Sequence, residues 1–272
     1  MSASQCGCML IFMNESTLPV QNDEGKKVFF LYPASVIQNE MVLEIVHAEY
    51  AVYLLNEHAK VPRLMARYPD SILFINLDEG MKEPEWEAFI RNLQRDSETS
   101  SVKIGILTYN NNAELAQKYL MDLSVPCGFI KLSLGLKKST EILLKALEAN
   151  EARGRRRYLR VTCQDNATFN VVVGDKTRSG KIVDISSVGM ACLFDSTVAI
   201  PVRTKLVDVQ LKLKGVLAKV SAVVFGTRPV EGGLMYVLLF DLTPSGDTKQ
   251  KIRVYIQQNL QASMDAEIKT LP

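Results

Sequence analysis

From Lys26 to about Asn150, short β-rich runs alternate five times with stretches of helical period. The apolar clusters place strands at Lys27 to Tyr32, Ala51 to Leu55, Ser71 to Leu77, Val102 to Tyr109 and Gly128 to Leu132. Amphipathic segments fall between them at Ser35 to Ala48, Ala59 to Tyr68, Glu83 to Arg95, Ala113 to Leu123 and Lys137 to Ala152. Pro84 suits the first turn of the third helix, where its missing N–H costs nothing. Uninterrupted runs such as Ile72-Leu73-Phe74-Ile75 and Ile104-Gly105-Ile106-Leu107 fit parallel strands covered on both faces. The pattern predicts an α/β, doubly wound domain with a five-stranded parallel sheet.

After Ala152 the texture changes. Residues Glu151 to Arg157 form a charged, arginine-rich joint, and seven β-like runs follow at about 158–164, 167–173, 178–185, 188–194, 205–213, 216–226 and 234–241. Several alternate apolar with polar positions, as Val207, Val209, Leu211 and Leu213 do against Leu206, Asp208, Gln210 and Lys212. Short alternating strands with Gly, Asp and Pro at the turns predict an antiparallel barrel. A closing helix is expected from Ser245 to about Met264, with Ile252, Ile256, Leu260 and Met264 on one face. The resulting division is a disordered leader over 1–24, an α/β domain over 26–150, a linker over 151–157 and a β-barrel with its helix over 158–272. Met9 and Met13 are alternative starts.

A chain of 272 residues, 47% hydrophobic and 23% charged, has the length and composition of two ordinary globular domains. No apolar run approaches the roughly 20 residues of a membrane-spanning helix. The run from Cys8 to Met13 is short for a signal peptide and lacks a basic flank, so a cytoplasmic location is expected. Five cysteines, an odd number, point to reduced thiols. The net charge of +2 conceals an asymmetry: residues 1–150 carry 14 Lys/Arg against 19 Asp/Glu, or −5, and residues 151–272 carry 18 against 11, or +7. An anionic ligand therefore belongs with the second half.

Two strings in that half carry candidate chemistry. Arg156 and Arg160 form R-x-x-x-R, and Asp184, Ser186 and Gly189 form D-x-S-x-x-G. A guanidinium presents a rigid fork of donors that matches phosphate oxygens or the N7/O6 edge of guanine. An acid and a hydroxyl at a strand end can reach a base edge, and a glycine lets the backbone come close. In this order and flanking a β-rich segment, the pair resembles the PilZ family of bacterial cyclic di-GMP receptors, over roughly residues 153 to 272. The resemblance implies that Arg156 and Arg160 grip guanine edge and phosphate, that Asp184, Ser186 and Gly189 form the facing wall, and that Arg155 and Arg157 add stacking or charge. It also implies a signalling role in motility, surface attachment, polysaccharide output or virulence through a protein partner. Because the arginines sit at the joint, ligand binding is expected to order it and shift the placement of the two domains. Two other readings use the same residues: a PilZ-like adaptor that binds no ligand and works through protein contacts, and nucleic-acid binding through the Arg153 to Arg160 cluster. Against the second, Tyr158 is the only aromatic in that cluster and no nucleic-acid module surrounds it.

Five βα units over roughly 26–150 resemble a response-regulator receiver, a fold that often pairs into homodimers. Thr108 after the fourth strand and Lys131 after the fifth match the receiver pattern. The acids do not match: the first strand ends in Tyr32-Pro33-Ala34-Ser35, Asn76 occupies the acceptor position, and Asp78 lies two residues beyond. A degenerate receiver, not phosphorylated, is expected. No catalytic role is expected either. His47 and His58 read as surface or packing residues, Cys6-x-Cys8 lacks a partner pair for zinc, and Cys163 and Cys192 read as buried apolar groups. No nucleophile elbow, H-E-x-x-H, G-x-G-x-x-G or P-loop string is present, and neither are the G-G-D-E-F and E-A-L strings of enzymes that make or destroy cyclic di-GMP. Neither a metal nor a cofactor is implied beyond cyclic di-GMP as ligand.

Overall fold

A computed structural model of the chain describes residues 25–163, 167–231, 233–241 and 246–271. The leader expected over 1–24 and the helix start expected at Ser245 lie outside the described residues.

The first sheet contains β1 (Val28–Leu31), β2 (Val52–Leu55), β3 (Ile72–Asn76), β4 (Lys103–Thr108) and β5 (Phe129–Lys131) in the order β2-β1-β3-β4-β5. All pairings are parallel, with Val28 level with Val52 on one side and Ile72 on the other. That order is the flavodoxin-like, receiver-like doubly wound sheet. Every residue of β1 and β3 is buried, as the uninterrupted apolar runs require of strands covered on both faces. The covering helices are α1 (Val42–His47), α2 (Val61–Arg67), α3 (Glu83–Arg95), α4 (Ala113–Gln117) and α5 (Leu136–Ala149). Asn112 caps α4 by accepting from the amides of Glu114 and Leu115 at 2.8 and 3.3 Å. The helices expected at Ser35 to Ala48 and Ala113 to Leu123 are not purely α-helical, since Ile37–Met41 and Lys118–Asp122 are wound as π-helix. The apolar period that marks a helix does not distinguish i→i+4 from i→i+5 bonding over one turn.

The second half supplies β6 (Arg160–Thr162), β7 (Ala167–Val173), β8 (Lys176–Ser186), β9 (Gly189–Phe194), β10 (Lys205–Leu213), β11 (Val216–Val230) and β12 (Gly233–Phe240). Six of them close on themselves in the order β8-β7-β10-β11-β12-β9, and β9 returns to β8. β6 attaches outside the ring, along β8. Along β10 the buried residues are Leu206, Val209, Leu211 and Leu213, so the alternation slips by one at the irregularity between Leu206 and Val209, where Asp208 has φ +58°. The sequence expectation placed Leu206 on the polar face and Val207 on the apolar one; the bulge reverses both.

The last helix, α6 (Gly246–Lys269), runs past the expected end at Met264 and buries Ile252, Tyr255, Ile256 and Met264. It lies against both halves of the molecule. Near the barrel, the Thr248 hydroxyl is within 3.5 Å of the Lys219 carbonyl. Beside the first sheet, Gln261 accepts from the Leu54 amide at 2.8 Å and donates to the Leu54 carbonyl at 2.9 Å. β2 is an edge strand, and this one side-chain amide satisfies both groups that a further strand would have paired. Tyr68 donates to Glu267 at 2.6 Å, Arg67 pairs with the same carboxylate at 3.3 Å, and His47 meets Gln250 at 2.8 Å. Burial first, and then the Glu267 carboxylate, push the Tyr68 hydroxyl well above the usual phenol range. No helix among the described residues is long and apolar enough to cross a membrane.

Replacing Gln261 by Ala leaves both Leu54 groups without that partner and should lower stability by about 1–3 kcal/mol. Urea unfolding checks this as a lower midpoint at unchanged slope; an unchanged midpoint would show that α6 does not cover the β2 edge in solution.

Candidate functional site

Antiparallel pairing of β6 with β8 brings the two candidate strings together. In register, Arg160 lies opposite Ser186, Val161 opposite Ile185 and Thr162 opposite Asp184. A guanidinium of Arg160 reaches 3.6 Å from the Asp184 carboxylate, with the arginine side chain half exposed and the aspartate largely covered. Arg160 thus stands at the mouth of the site, able to turn toward an anion, while Asp184 forms its wall.

β8 and β9 form a tight hairpin with Ser186 level with Gly189. The Ser186 hydroxyl is buried, 2% exposed, donates to the Gly189 carbonyl at 3.2 Å and accepts from the Val188 amide at 3.4 Å. Its hydrogen bonds are spent on the turn, as Ser side chains commonly do. Gly189 answers a different need from the one its motif position suggests. A Cβ there would meet the Leu238 carbonyl oxygen of β12 at 2.5 Å, so the glycine permits β9 and β12 to pair. Both residues therefore shape the wall in this structure.

Arg155, Arg156 and Arg157 are exposed. Arg157 lies over the Tyr158 ring, 5.5 Å from its centroid. Arg156 lines a small hollow with Tyr158 and Arg160, and across that hollow stand Lys27, Glu49 and Tyr53 of the first domain. The joint itself carries bonds to the first domain: the Ala152 carbonyl accepts from the Lys26 amide at 2.9 Å, and Arg153 lies over Tyr50 at 5.4 Å.

Glu49 is the residue that sequence reasoning missed. It immediately follows the C-cap of α1, in the left-handed region at φ +66°, where glycine is the usual choice. From there one carboxylate oxygen accepts the Leu159 amide at 2.7 Å and the other the Ser187 hydroxyl at 2.8 Å. Leu159 sits inside R-x-x-x-R and Ser187 inside D-x-S-x-x-G, so one acid of the first domain holds both strings at once. No signal in the sequence marks it, because an acid at a helix end is commonplace and its partners lie 110 and 138 residues away.

Residues 154–258 match the PilZ domain family. The matched stretch holds every arginine, aspartate, serine and glycine of the candidate site and runs from the joint into α6. Among solved structures, YcgR from Escherichia coli in complex with c-di-GMP aligns at 16% identity over 43% of this chain and 50% of that one, with a TM-score of 0.36. MrkH from K. pneumonia in complex with c-di-GMP aligns at 16% over 44% and 57%, with a TM-score of 0.35. RcsB from Salmonella enterica serovar Typhimurium aligns at 20% over 46% of this chain and 98% of that one, with a TM-score of 0.35. The chain spans about half the length of YcgR and MrkH. No curated protein matches it. Overlaps of this size and identity leave the functional reading to the residues themselves.

In the receiver-like half, the side chains at the C-terminal ends of β3 and β4 bond to one another. Asp78 accepts from the Thr108 hydroxyl at 2.6 Å and from the Tyr109 amide at 2.7 Å. Asn76 is buried, donates to the Tyr32 carbonyl at 2.8 Å and accepts from the Asp78 amide at 3.2 Å. Tyr32, His58, Trp86 and Phe89 pack together beside it, with the Tyr32 hydroxyl 2.8 Å from His58 Nδ1. His58 is a packing residue, as expected, and Lys131 approaches the Asn111 carbonyl at 3.5 Å. Among the described residues no group of three or more His, Cys, Asp or Glu could hold a metal ion. Burial pushes the thiols of Cys127 and Cys192 to about 12 and that of Cys163 to about 11, which leaves them poor nucleophiles at neutral pH.

Incubation with acetyl phosphate and Mg²⁺ should leave the intact mass unchanged, because the Asp78 carboxylate is held by the group that would otherwise assist transfer. A stable phosphoryl adduct mapped to Asp78 would refute the degenerate-receiver assignment.

Proposed function

We propose that this protein is a cyclic di-GMP-binding effector whose PilZ domain passes ligand binding to the receiver-like domain through Glu49. The observation that carries the reading is the β6–β8 register, which aligns the arginine string with Asp184 at the domain boundary, inside a stretch that matches the PilZ family. In this reading Arg156 and Arg160 grip phosphate and guanine edge and Asp184 faces them. Ser186 and Gly189 set the turn, and Arg155 and Arg157 supply charge and stacking. Three or four charge-assisted hydrogen bonds at about 1.5–3 kcal/mol each cover the roughly 8 kcal/mol of micromolar binding, before ordering costs. In this reading the output is binding of the dinucleotide.

The coupling follows from charge. Glu49 lines the same hollow as Arg156 and Arg160, and a ligand with two phosphates brings negative charge close to its carboxylate. Binding therefore works against the Glu49 bonds to Leu159 and Ser187, and their loss frees the end of α1 from the barrel. The strained backbone of Glu49 favours release, since a non-glycine residue in the left-handed region costs about 1 kcal/mol. A protein partner would then read the new domain arrangement. Nucleic-acid binding draws less support, because Arg153 and Arg157 already lie over Tyr50 and Tyr158.

Calorimetry with cyclic di-GMP should give micromolar or tighter binding to the full chain, abolished by Arg160→Ala. No heat with wild type leaves a ligand-independent adaptor as the function, and equal binding to duplex DNA would favour the nucleic-acid reading. For the coupling, Glu49→Ala should bind cyclic di-GMP several-fold more tightly and already show, without ligand, the small-angle scattering profile that wild type reaches at saturation. Wild-type affinity together with a wild-type response to ligand would remove Glu49 from the mechanism.

A further inference from the structure

Beside Arg160 a hollow of ≈ 390 Å³ opens between β6 and the later turns of α6. That volume lies at the lower end of the range of small-molecule sites, a size suited to one base rather than to a whole dinucleotide. Side chains alternate along a strand, so Arg160 and Thr162 share the exposed face of β6, and both line the hollow. On the other wall stand Asn259 and Ser263, one turn apart on α6. Val161 and Met264, both buried, supply apolar lining. The stretch that matches the PilZ family ends at residue 258, so the α6 wall lies just beyond it.

Asn259 gives this wall its chemistry. Its amide nitrogen donates to the Thr162 carbonyl at 3.3 Å and to the Tyr255 hydroxyl at 3.1 Å. A backbone carbonyl can only accept, so the NH₂ group must face β6 and the orientation of the amide follows from its partners. Both N–H groups are used in this way, and the buried Tyr255 helps to hold them. The amide oxygen points away from the strand and makes no hydrogen bond among the described residues. The hollow therefore offers a guanidinium fork on one wall and an oriented acceptor on the other. Guanine calls for that combination: its O6 and N7 accept from an arginine, while its N1–H and N2 amine donate. Adenine presents an amino group in place of O6, which opposes the arginine, and has no N2 amine to donate.

We propose that this hollow is the subsite for one guanine of cyclic di-GMP and that Asn259 is a specificity-determining residue, its amide oxygen accepting from the base's N1–H and N2 amine. The guanine gripped by Arg160 then enters between β6 and α6, with the Ser263 hydroxyl on the same wall as Asn259. This rests on the cyclic di-GMP reading above and deepens it: the closing helix itself selects the base. Because α6 also holds the β2 edge through Gln261, two residues from Asn259, a base seated there touches the helix that spans both domains.

The test is calorimetry of the full chain at about 0.15 M salt with cyclic di-GMP and with its inosine analogue, which lacks only the N2 amines. Wild type, Asn259→Ala, Ser263→Phe and Arg160→Ala are compared, with thermal melts beside each. Wild type should prefer cyclic di-GMP several-fold, since the analogue leaves an acceptor in the site unpaired. Asn259→Ala should cut that preference several-fold. A looser β6 would weaken both ligands alike and leave their ratio unchanged, so a preserved preference in a folded Asn259→Ala overturns the proposal. Equal binding of the two ligands by wild type also overturns it. Ser263 is exposed, and a phenylalanine there should fill the hollow and weaken cyclic di-GMP binding ten-fold or more at an unchanged melting point. If Asn259→Ala melts early, Ser263→Phe decides, and wild-type affinity in it overturns the subsite. In each of these cases, loss of binding in Arg160→Ala leaves the parent reading standing. An absence of binding by wild type overturns both.

Discussion

The pairing of β6 with β8 is the constraint on which the candidate site depends. β6 is only three residues long and lies outside the closed ring of strands, so its position comes from its ladder to β8 and from the bonds at its two ends. The ladder sets Arg160 level with Ser186. A slip of one residue would turn Arg160 to the other face of the sheet and bury it where Val161 now packs. The fixed register is worth more to a binding site than the energy of three backbone pairs, because it decides which face the arginine presents.

Two further contacts give the ladder its setting. Glu49 ties the strand entrance at Leu159 and the hairpin at Ser187 to the first domain, and Asn259 of α6 donates to the Thr162 carbonyl at the far end of β6, at 3.3 Å. α6 begins beside the barrel and ends along β2, where Gln261 closes the sheet edge. Besides the contacts of the joint itself, the domains meet at the acid and along the helix. These contacts differ in kind: the helix contact buries apolar surface and satisfies a strand edge, which favours permanence, whereas the Glu49 contact is a pair of polar bonds from a strained residue at the rim of a hollow. A rearrangement that breaks the second and keeps the first pivots the barrel about α6.

Much of this architecture was legible in the chain, and the exceptions have physical causes. Unbroken apolar runs at Ile72–Ile75 and the alternation along β10 from Val209 to Leu213 reported the difference between strands covered on two faces and on one. The same alternation misled at Leu206, because a bulge shifts the period and nothing local announces it. The arginine and aspartate strings were visible as strings, but the reason for two of their members was not. Ser186 and Gly189 suggest ligand contacts by position, and the structure employs them in the turn and in the close approach of Leu238. Glu49 was invisible because its partners, Leu159 and Ser187, are brought near only by the docking of the two domains, and a one-dimensional pattern carries no record of that.

The docking also sets the two ends of the parallel sheet apart. Lys27 precedes β1 and Glu49 precedes β2, so the barrel meets the sheet at the N-terminal ends of its strands and along the β2 edge. Asn76, Asp78 and Thr108 lie at the opposite, C-terminal ends, where a doubly wound fold ordinarily binds its ligand. In this chain that end is closed by its own hydrogen bonds and by the aromatic group around Tyr32. The candidate anion site lies instead at the opposite end of the sheet, at the boundary of the two domains. The parallel sheet still offers rigid strands at its N-terminal end, and rigidity is what a boundary site needs, because its groups come from separate domains and must hold their positions across the gap.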